Sequence, residues 1–342
     1  MRMPAFRRIV AVASVFAGFA GVTQPAVAQA GADFFRGKTV RLIVGSEAGG
    51  GYSAYTIFLA AHFGKHIPGN PSVVAEHMPG TGGVKAINYL AQVAPKDGTV
   101  LGVTLPNFWV TPAVTPAAAQ FDPTKFKFIG RVGDLGRVLV VWHTAGVTKL
   151  EQLKTKVVLV GATSRRSVTS VQLDLLNEVL GTRIKNVAGY SGTSAMLIAV
   201  EKGEVQGTTL GWNTLNVTRG YWLRDKKAVV LAGLDFAKVP GVPRVRDLIT
   251  DEKKRALWDF VALPSEFGSA IAAAPGVPED HVSILRKAFD ATIKDPEFLA
   301  DAKKRKLDIN PQSGAELDAL NAKLGKPTPE IAARVRALMG VK

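Results

Sequence analysis

A repeated local order constrains this chain more than any other feature: a short apolar run, a loop of glycine and hydroxyl residues, then a stretch with helical periodicity. Val40-Arg-Leu-Ile-Val44 leads into Gly45-Ser-Glu-Ala-Gly-Gly-Gly-Tyr-Ser53 and an amphipathic segment. Strands are expected at 39–44, 72–75 and 99–104, with helices at 54–66 and 82–93. Pro106, Pro112, Pro116 and Pro123 then make 105–127 an irregular connection. A second set follows, with strands at 138–142, 157–160, 183–187, 205–209 and 228–232 and helices at 150–154, 167–180 and 193–202. Segments 260–263 and 269–273 are strand-like, and the tail from Pro278 is helical, with Glu279 and Asp280 suited to a first turn. This pattern predicts an α/β protein with mostly parallel strands, in two units around a cleft. Ligands of such sheets gather at the loops after the carboxyl ends of the strands.

The chain has 342 residues, long enough for two domains, and 47% hydrophobic with 21% charged residues is a globular composition. Arg2, Arg7 and Arg8 precede the apolar run 9–22, and Ala26, Ala28 and Ala30 follow, which reads as a secretory leader cleaved after Ala28 or Ala30. Residues 1–30 are therefore set apart as a signal peptide. The apolar run falls short of the ~20 residues that span a bilayer, so a soluble, exported, periplasmic protein is expected. The absence of cysteine excludes disulfides, thiolate metal sites and cysteine nucleophiles. Loss of the three leader arginines lowers the formal charge from +15 to +12. Such a surface attracts anions, yet the basic residues are scattered apart from clusters such as 303–306 and 226–227, which read as solvated faces. No nucleic-acid motif accompanies them, so no nucleic-acid partner is expected.

Four post-strand loops could carry chemistry. In the first, Gly45 and Gly50 have P-loop spacing, but Gly51 and Tyr52 stand where Lys and Ser/Thr belong, and the dinucleotide spacing breaks after Gly51. What remains is a glycine turn at a helix start, where free N–H groups and the helix dipole favour an anion. Gly80-Thr81-Gly82-Gly83 repeats the device after the second strand, and the pair suits a carboxylate. A β-branched residue at Gly82 is expected to fill the carboxylate's place and leave the fold intact. In the second set, 161–167 offers Ser164, Ser167 and the paired Arg165 and Arg166, one of which could grip a second carboxylate. Segment 189–195 offers Ser191, Gly192, Thr193 and Ser194. His62 and His66 lack the glutamate of a zinc-protease motif and read as an exposed pair. Gly189-Tyr-Ser-Gly192 is followed by Thr193, so the nucleophile elbow is incomplete. No metal-ligand spacing, cofactor motif or nucleophile–base pair is legible, and no enzyme activity is expected. Tyr52 and Trp212 are the aromatic residues placed nearest a ligand.

The segments "GKTVRLIVGSEAGGGYS", "HMPGTGG", "PKDGTVLG", "GYSGTSA", "EKGEVQG" and "APGVPEDHVSILRKAFDATIKDPEF", in this order, resemble the substrate-binding proteins of tripartite tricarboxylate transporters, the Bug-type periplasmic receptors. The resemblance runs from about Phe34 to Met339. It implies a type II periplasmic binding fold, two α/β lobes joined by two crossing strands, with 31–134 plus 235–342 as lobe 1 and 135–234 as lobe 2. It also implies a monomer that captures a small carboxylate, mono- or dicarboxylic and aromatic acids included, and delivers it to integral-membrane permease subunits. Gly51, Tyr52 and Ser53, with Gly80, Thr81, Gly82 and Gly83, would hold the proximal carboxylate through backbone N–H groups and water. Ser164, Arg165, Ser191, Gly192 and Thr193 would meet the ligand from the other lobe. The sequence departs from the family at Glu47 and Ser53, where the family has proline and aspartate. Segment 161–167 also lacks the family's second glycine and histidine. The aspartate goes with ligands bearing an amino group, so its loss disfavours amino acids, and Glu47 is expected to point outward. The alternatives are a receptor that signals to a sensor protein and a secreted hydrolase on an α/β scaffold.

Overall fold

The computed structural model describes residues 33–235 and 239–341; the expected leader lies outside them. Its strands are β1 (Thr39–Val44), β2 (Ser72–His77), β3 (Val100–Val103), β4 (Lys127–Arg131), β5 (Arg137–Trp142), β6 (Val158–Ala162), β7 (Ile184–Ala188), β8 (Gly207–Gly211), β9 (Ala228–Gly233), β10 (Ala270–Ala273) and β11 (Gln312–Ser313). They form two sheets, in the orders β11-β4-β10-β3-β1-β2 and β7-β6-β8-β5-β9. The chain passes from the first sheet to the second between β4 and β5 and returns after β9.

The pairing is less parallel than the sequence pattern predicts. β1 runs parallel to β2 and β3, and β6 to β7 and β8. The strands flanking the two crossings pair antiparallel: β10 with β3 and β4, and β5 with β8 and β9. A strand that enters a sheet from the other lobe arrives without the crossover helix that parallel neighbours need.

Helices cover both faces of each sheet, so β3 and β10 are buried throughout and read as continuous apolar runs. One face of the first sheet packs against Phe58, Phe63, Phe289 and Phe298, and the other against Ile87, Leu90, Phe108, Trp109 and Phe267. Truncating one of these buried rings to alanine would cost about 3–5 kcal/mol. The core of the second sheet also takes Val110, Val114, Trp258, Val261 and Val335 from helices that lie outside 135–234 in sequence.

Two segments differ from expectation. The connection 105–127 contains the helix Asn107–Val114, with Pro112 inside it, because burial of Phe108, Trp109, Val110 and Val114 outweighs the hydrogen bond the proline removes. Segment 260–263 is the end of the helix Glu252–Ala262. Asp251 starts that helix by accepting from the Lys254 N–H, and Leu257, Trp258 and Val261 form its buried stripe. The histidine pair is not exposed either. His62 is buried, with Nε2 3.1 Å from Asp301, and His66 Nε2 lies 2.9 Å from Asp295.

Candidate functional site

The loops that follow β1, β2, β3, β6 and β7, with the end of β8, surround a cavity of about 410 Å³ between the two sheets. Its walls touch one another across the cleft. A Cβ on Gly49 would fall 2.5 Å from Ser194 Oγ, and one on Gly192 3.2 Å from Glu47 Cβ. At the other contact, Asn107 donates through Nδ2 to the Arg166 carbonyl (3.0 Å) and accepts through Oδ1 from the Val168 N–H (3.2 Å). The cleft is closed, and only residues without side chains let its first loop pass so near the opposite wall.

Helix starts dominate the polar part of the wall. Gly50, Gly192 and Gly211 are the N-caps of the helices Gly51–Phe63, Thr193–Glu201 and Trp212–Arg224, and all three line the cavity. None of these helices has a side-chain cap or an acidic residue in its first turn. The first N–H groups of an α-helix have no intrahelical partner and carry the positive end of the dipole. The helix Val168–Leu180 is different, because Ser167 caps it by accepting from the Ser170 N–H.

Arg137, at the first position of β5, lines the same cavity. Its Nη2 donates to the Thr209 carbonyl (3.1 Å) and hydroxyl (3.0 Å), and its backbone N–H donates to Asp235 Oδ1 (2.8 Å). Its Nε is buried without a hydrogen-bond partner. Burial lowers the pKa of the guanidinium, and the neighbouring Tyr52 and Asp235 raise it in return. Arginine stays charged under such opposing shifts. Burial likewise raises the Tyr52 hydroxyl, against a lowering by Arg137, so Tyr52 faces the cavity as a neutral phenol.

Of the residues expected at the site, Gly51, Tyr52, Gly80, Thr81, Gly82, Ser164, Ser191, Gly192 and Thr193 line the cavity. Ser53, Gly83 and Arg165 do not. Ser53 is 1% exposed and turns toward β2, where its Oγ lies 2.8 Å from His77 Nε2. That contact is a serine–imidazole pair the sequence did not reveal. Neither residue lines the cavity, and among the described residues no carboxylate bonds His77 to orient it as a base. Gly83 serves packing: a Cβ on Gly45 would run into its Cα, so the two glycine loops rest on each other. The Arg165 side chain is 66% exposed, its Nη1 4.0 Å from Asp174. Arg166 is exposed as well, because Asn107 holds this loop by its backbone and turns Ser164 and Ser167 inward instead.

Glu47 is exposed at the rim, as expected. Trp212 packs against the core of the second sheet and does not line the cavity. Gly82 has φ +63°, and a Cβ there would lie 2.8 Å from Asn107 Cγ. A larger residue at Gly82 would therefore push on the cross-cleft contact and would not simply occupy ligand space. Sequence reasoning missed Arg137 and Asn107. The available signals were a lone basic residue directly before an apolar strand and an asparagine after the third strand. Among the described residues no group of histidine and carboxylate side chains could hold a metal ion.

No protein-family model matches the sequence, and no curated protein matches it. Its structure is similar to solved ones. The periplasmic binding protein BugD superposes with a TM-score of 0.67 at 19% identity, covering 90% of this chain and 99% of BugD. MatC from Rhodopseudomonas palustris, with bound malate, gives 0.65 at 20% identity over 89% of this chain and 100% of MatC. An R. palustris protein with adipate gives 0.66 at 18% identity over 89% of this chain and 98% of its own. The chain has the two-lobed fold of these solute-binding proteins, as its resemblance to the Bug-type receptors of tripartite tricarboxylate transporters implies.

Proposed function

We propose that this protein is an exported, periplasmic solute-binding receptor that captures a small organic acid in the cleft and delivers it to a tripartite tricarboxylate-type permease without chemical change. The observation that carries the reading is the set of three cavity helices whose first turns have neither a capping side chain nor an acidic residue. A carboxylate between them supplies the missing acceptor and the missing negative charge together. Malate and adipate, bound by the two R. palustris proteins of the same fold, belong to this chemical class. In this reading the two sheets, each with the helices packed on it, act as the two lobes, and Gly51, Tyr52, Gly80–Gly82, Ser164, Ser191, Gly192 and Thr193 contact the ligand. Binding favours the closed form through contacts made only in that form, and the closed form is what the permease recognises.

Titration calorimetry and thermal unfolding against carboxylic acids, amino acids and sugars test the reading. Reversible binding of at least one acid is expected, with about 2.7 kcal/mol of stabilisation at 100 times Kd. Binding of sugars or amines alone would refute it.

A further inference from the structure

We infer that the cavity is built for a monocarboxylate with an apolar body, its carboxylate seated at Arg137. This rests on the receptor reading and narrows it. Among the described residues lining the cavity, Arg137 is the one cation, and Glu47 is the one carboxylate, at the rim. Asp235 sits behind Arg137 on its backbone N–H, within electrostatic reach of the guanidinium. Arg137 is therefore the one full positive charge that the described lining offers a ligand, with Asp235 offsetting part of it. Arg137 also has a donor to give: Thr209 occupies Nη2 and Nε is buried, but among the described residues Nη1 has no hydrogen-bond partner.

Part of the wall is apolar. Leu105, Leu135, Val168, Met196 and Leu210 line it, together with the ring of Tyr190. A second carboxylate on the ligand would meet no second cation among the described lining residues: it would lie against these side chains, against neutral hydroxyls or toward Glu47, and a buried charge without a counter-charge is unfavourable. The volume fits the same class. About 410 Å³ is within the range of drug-sized ligand pockets and leaves room for a ring or a branched chain. Ser164, Ser191 and Thr193 can meet a neutral hydroxyl or keto substituent on that body.

The test is titration calorimetry on the purified protein with benzoate, 4-hydroxybenzoate and hexanoate against malate, adipate and citrate. The tightest monocarboxylate is expected to bind at least about tenfold more strongly than any diacid or triacid. Arg137→Met should weaken it by roughly 10–100-fold, the range of a hydrogen bond to a charged group. Arg137 also holds β8, so thermal unfolding must show that the variant is folded. Tyr190→Arg provides a second route: it adds a cation to the apolar wall and should shift the preference toward adipate by about tenfold. Tighter binding of malate, adipate or citrate to the unaltered protein would overturn the inference and leave the receptor reading in place. Undiminished affinity in folded Arg137→Met would overturn the anchor. Silence from all six acids together with binding of a sugar or an amine would overturn both readings.

Discussion

Three helices that open on the cavity and four in the carboxyl-terminal third begin in opposite ways. Asp251, Asp295, Ser313 and Thr328 cap the helices Glu252–Ala262, Pro296–Arg305, Gly314–Lys323 and Pro329–Leu338, and each first turn contains a glutamate. Around the cavity, glycine stands at three N-caps and the first turns carry no acid. A serine, threonine or aspartate cap is worth about 1 kcal/mol, and a first-turn charge typically 0.3–1 kcal/mol. The chain takes these increments at those four outer helices and leaves them unused at the three glycine-started ones. A fixed side chain at the cleft would occupy the place of an exchangeable anion.

The most direct way to break the contrast is to give a cavity helix what the outer ones have. Thr193→Asp places an acid in the first turn of Thr193–Glu201. It should lower carboxylate affinity on the order of 100-fold through repulsion between two carboxylates at close range. The ligand-free protein should become slightly more stable, by about 0.3–1 kcal/mol. Calorimetry and thermal unfolding read the two effects separately, and unchanged affinity would mean that these helix starts do not seat the anion. Next in size is Gly82→Val. It forces a β-branched residue to positive φ and displaces Asn107 from the Arg166 carbonyl and the Val168 N–H. Stability should fall by about 1–3 kcal/mol, and affinity should fall with it. Loss of binding at full stability would restore the simpler idea of a filled ligand site.

How much of this was legible follows from the range of the interactions involved. β1, β6 and the helix Val168–Leu180 were readable because strands buried on both faces are continuous apolar runs and helices repeat locally. The glycine loops were readable for the same reason, since a loop's composition and its place after a strand are local facts. The helix Asn107–Val114 was hidden by prolines that local rules count against it, and its burial is tertiary. Arg137 faces the cavity because β5 is held between β8 and β9, a placement set by antiparallel partners distant in sequence. Arg165 and Arg166 were expected inside because paired arginines after a strand suit carboxylates. Their direction is fixed instead by Asn107, which belongs to another segment. Ser53 and His77 likewise meet only because β1 and β2 pair in register, Val44 opposite His77.

The outer half of the contrast predicts smaller and purely structural effects. Ser313→Ala breaks the reciprocal bonds with Glu316, in which Ser313 Oγ accepts from the Glu316 N–H at 3.3 Å and Glu316 Oε2 accepts from the Ser313 N–H at 2.8 Å. It should cost about 1 kcal/mol in thermal unfolding and leave ligand affinity unchanged.

Asp295 should show the smallest effect, visible mainly through pH. Its carboxylate is held well below the ordinary aspartate range by Lys65, by the Glu297 N–H it caps and by His66. Folding therefore favours its ionised form, and the contribution to stability is complete above the unfolded-state pKa near ~3.9. It declines as the pH falls below that value toward the depressed pKa of the folded state. Asp295→Asn should accordingly melt below the unaltered protein at neutral pH, by a gap that stays constant down to about pH 5 and narrows in more acid solution. Carboxylate affinity at neutral pH should be the same in both proteins, because this cap belongs to a helix that does not open on the cavity. A gap that widened on acidification would reverse the sign of the linkage and remove Asp295 from the outer, self-contained set.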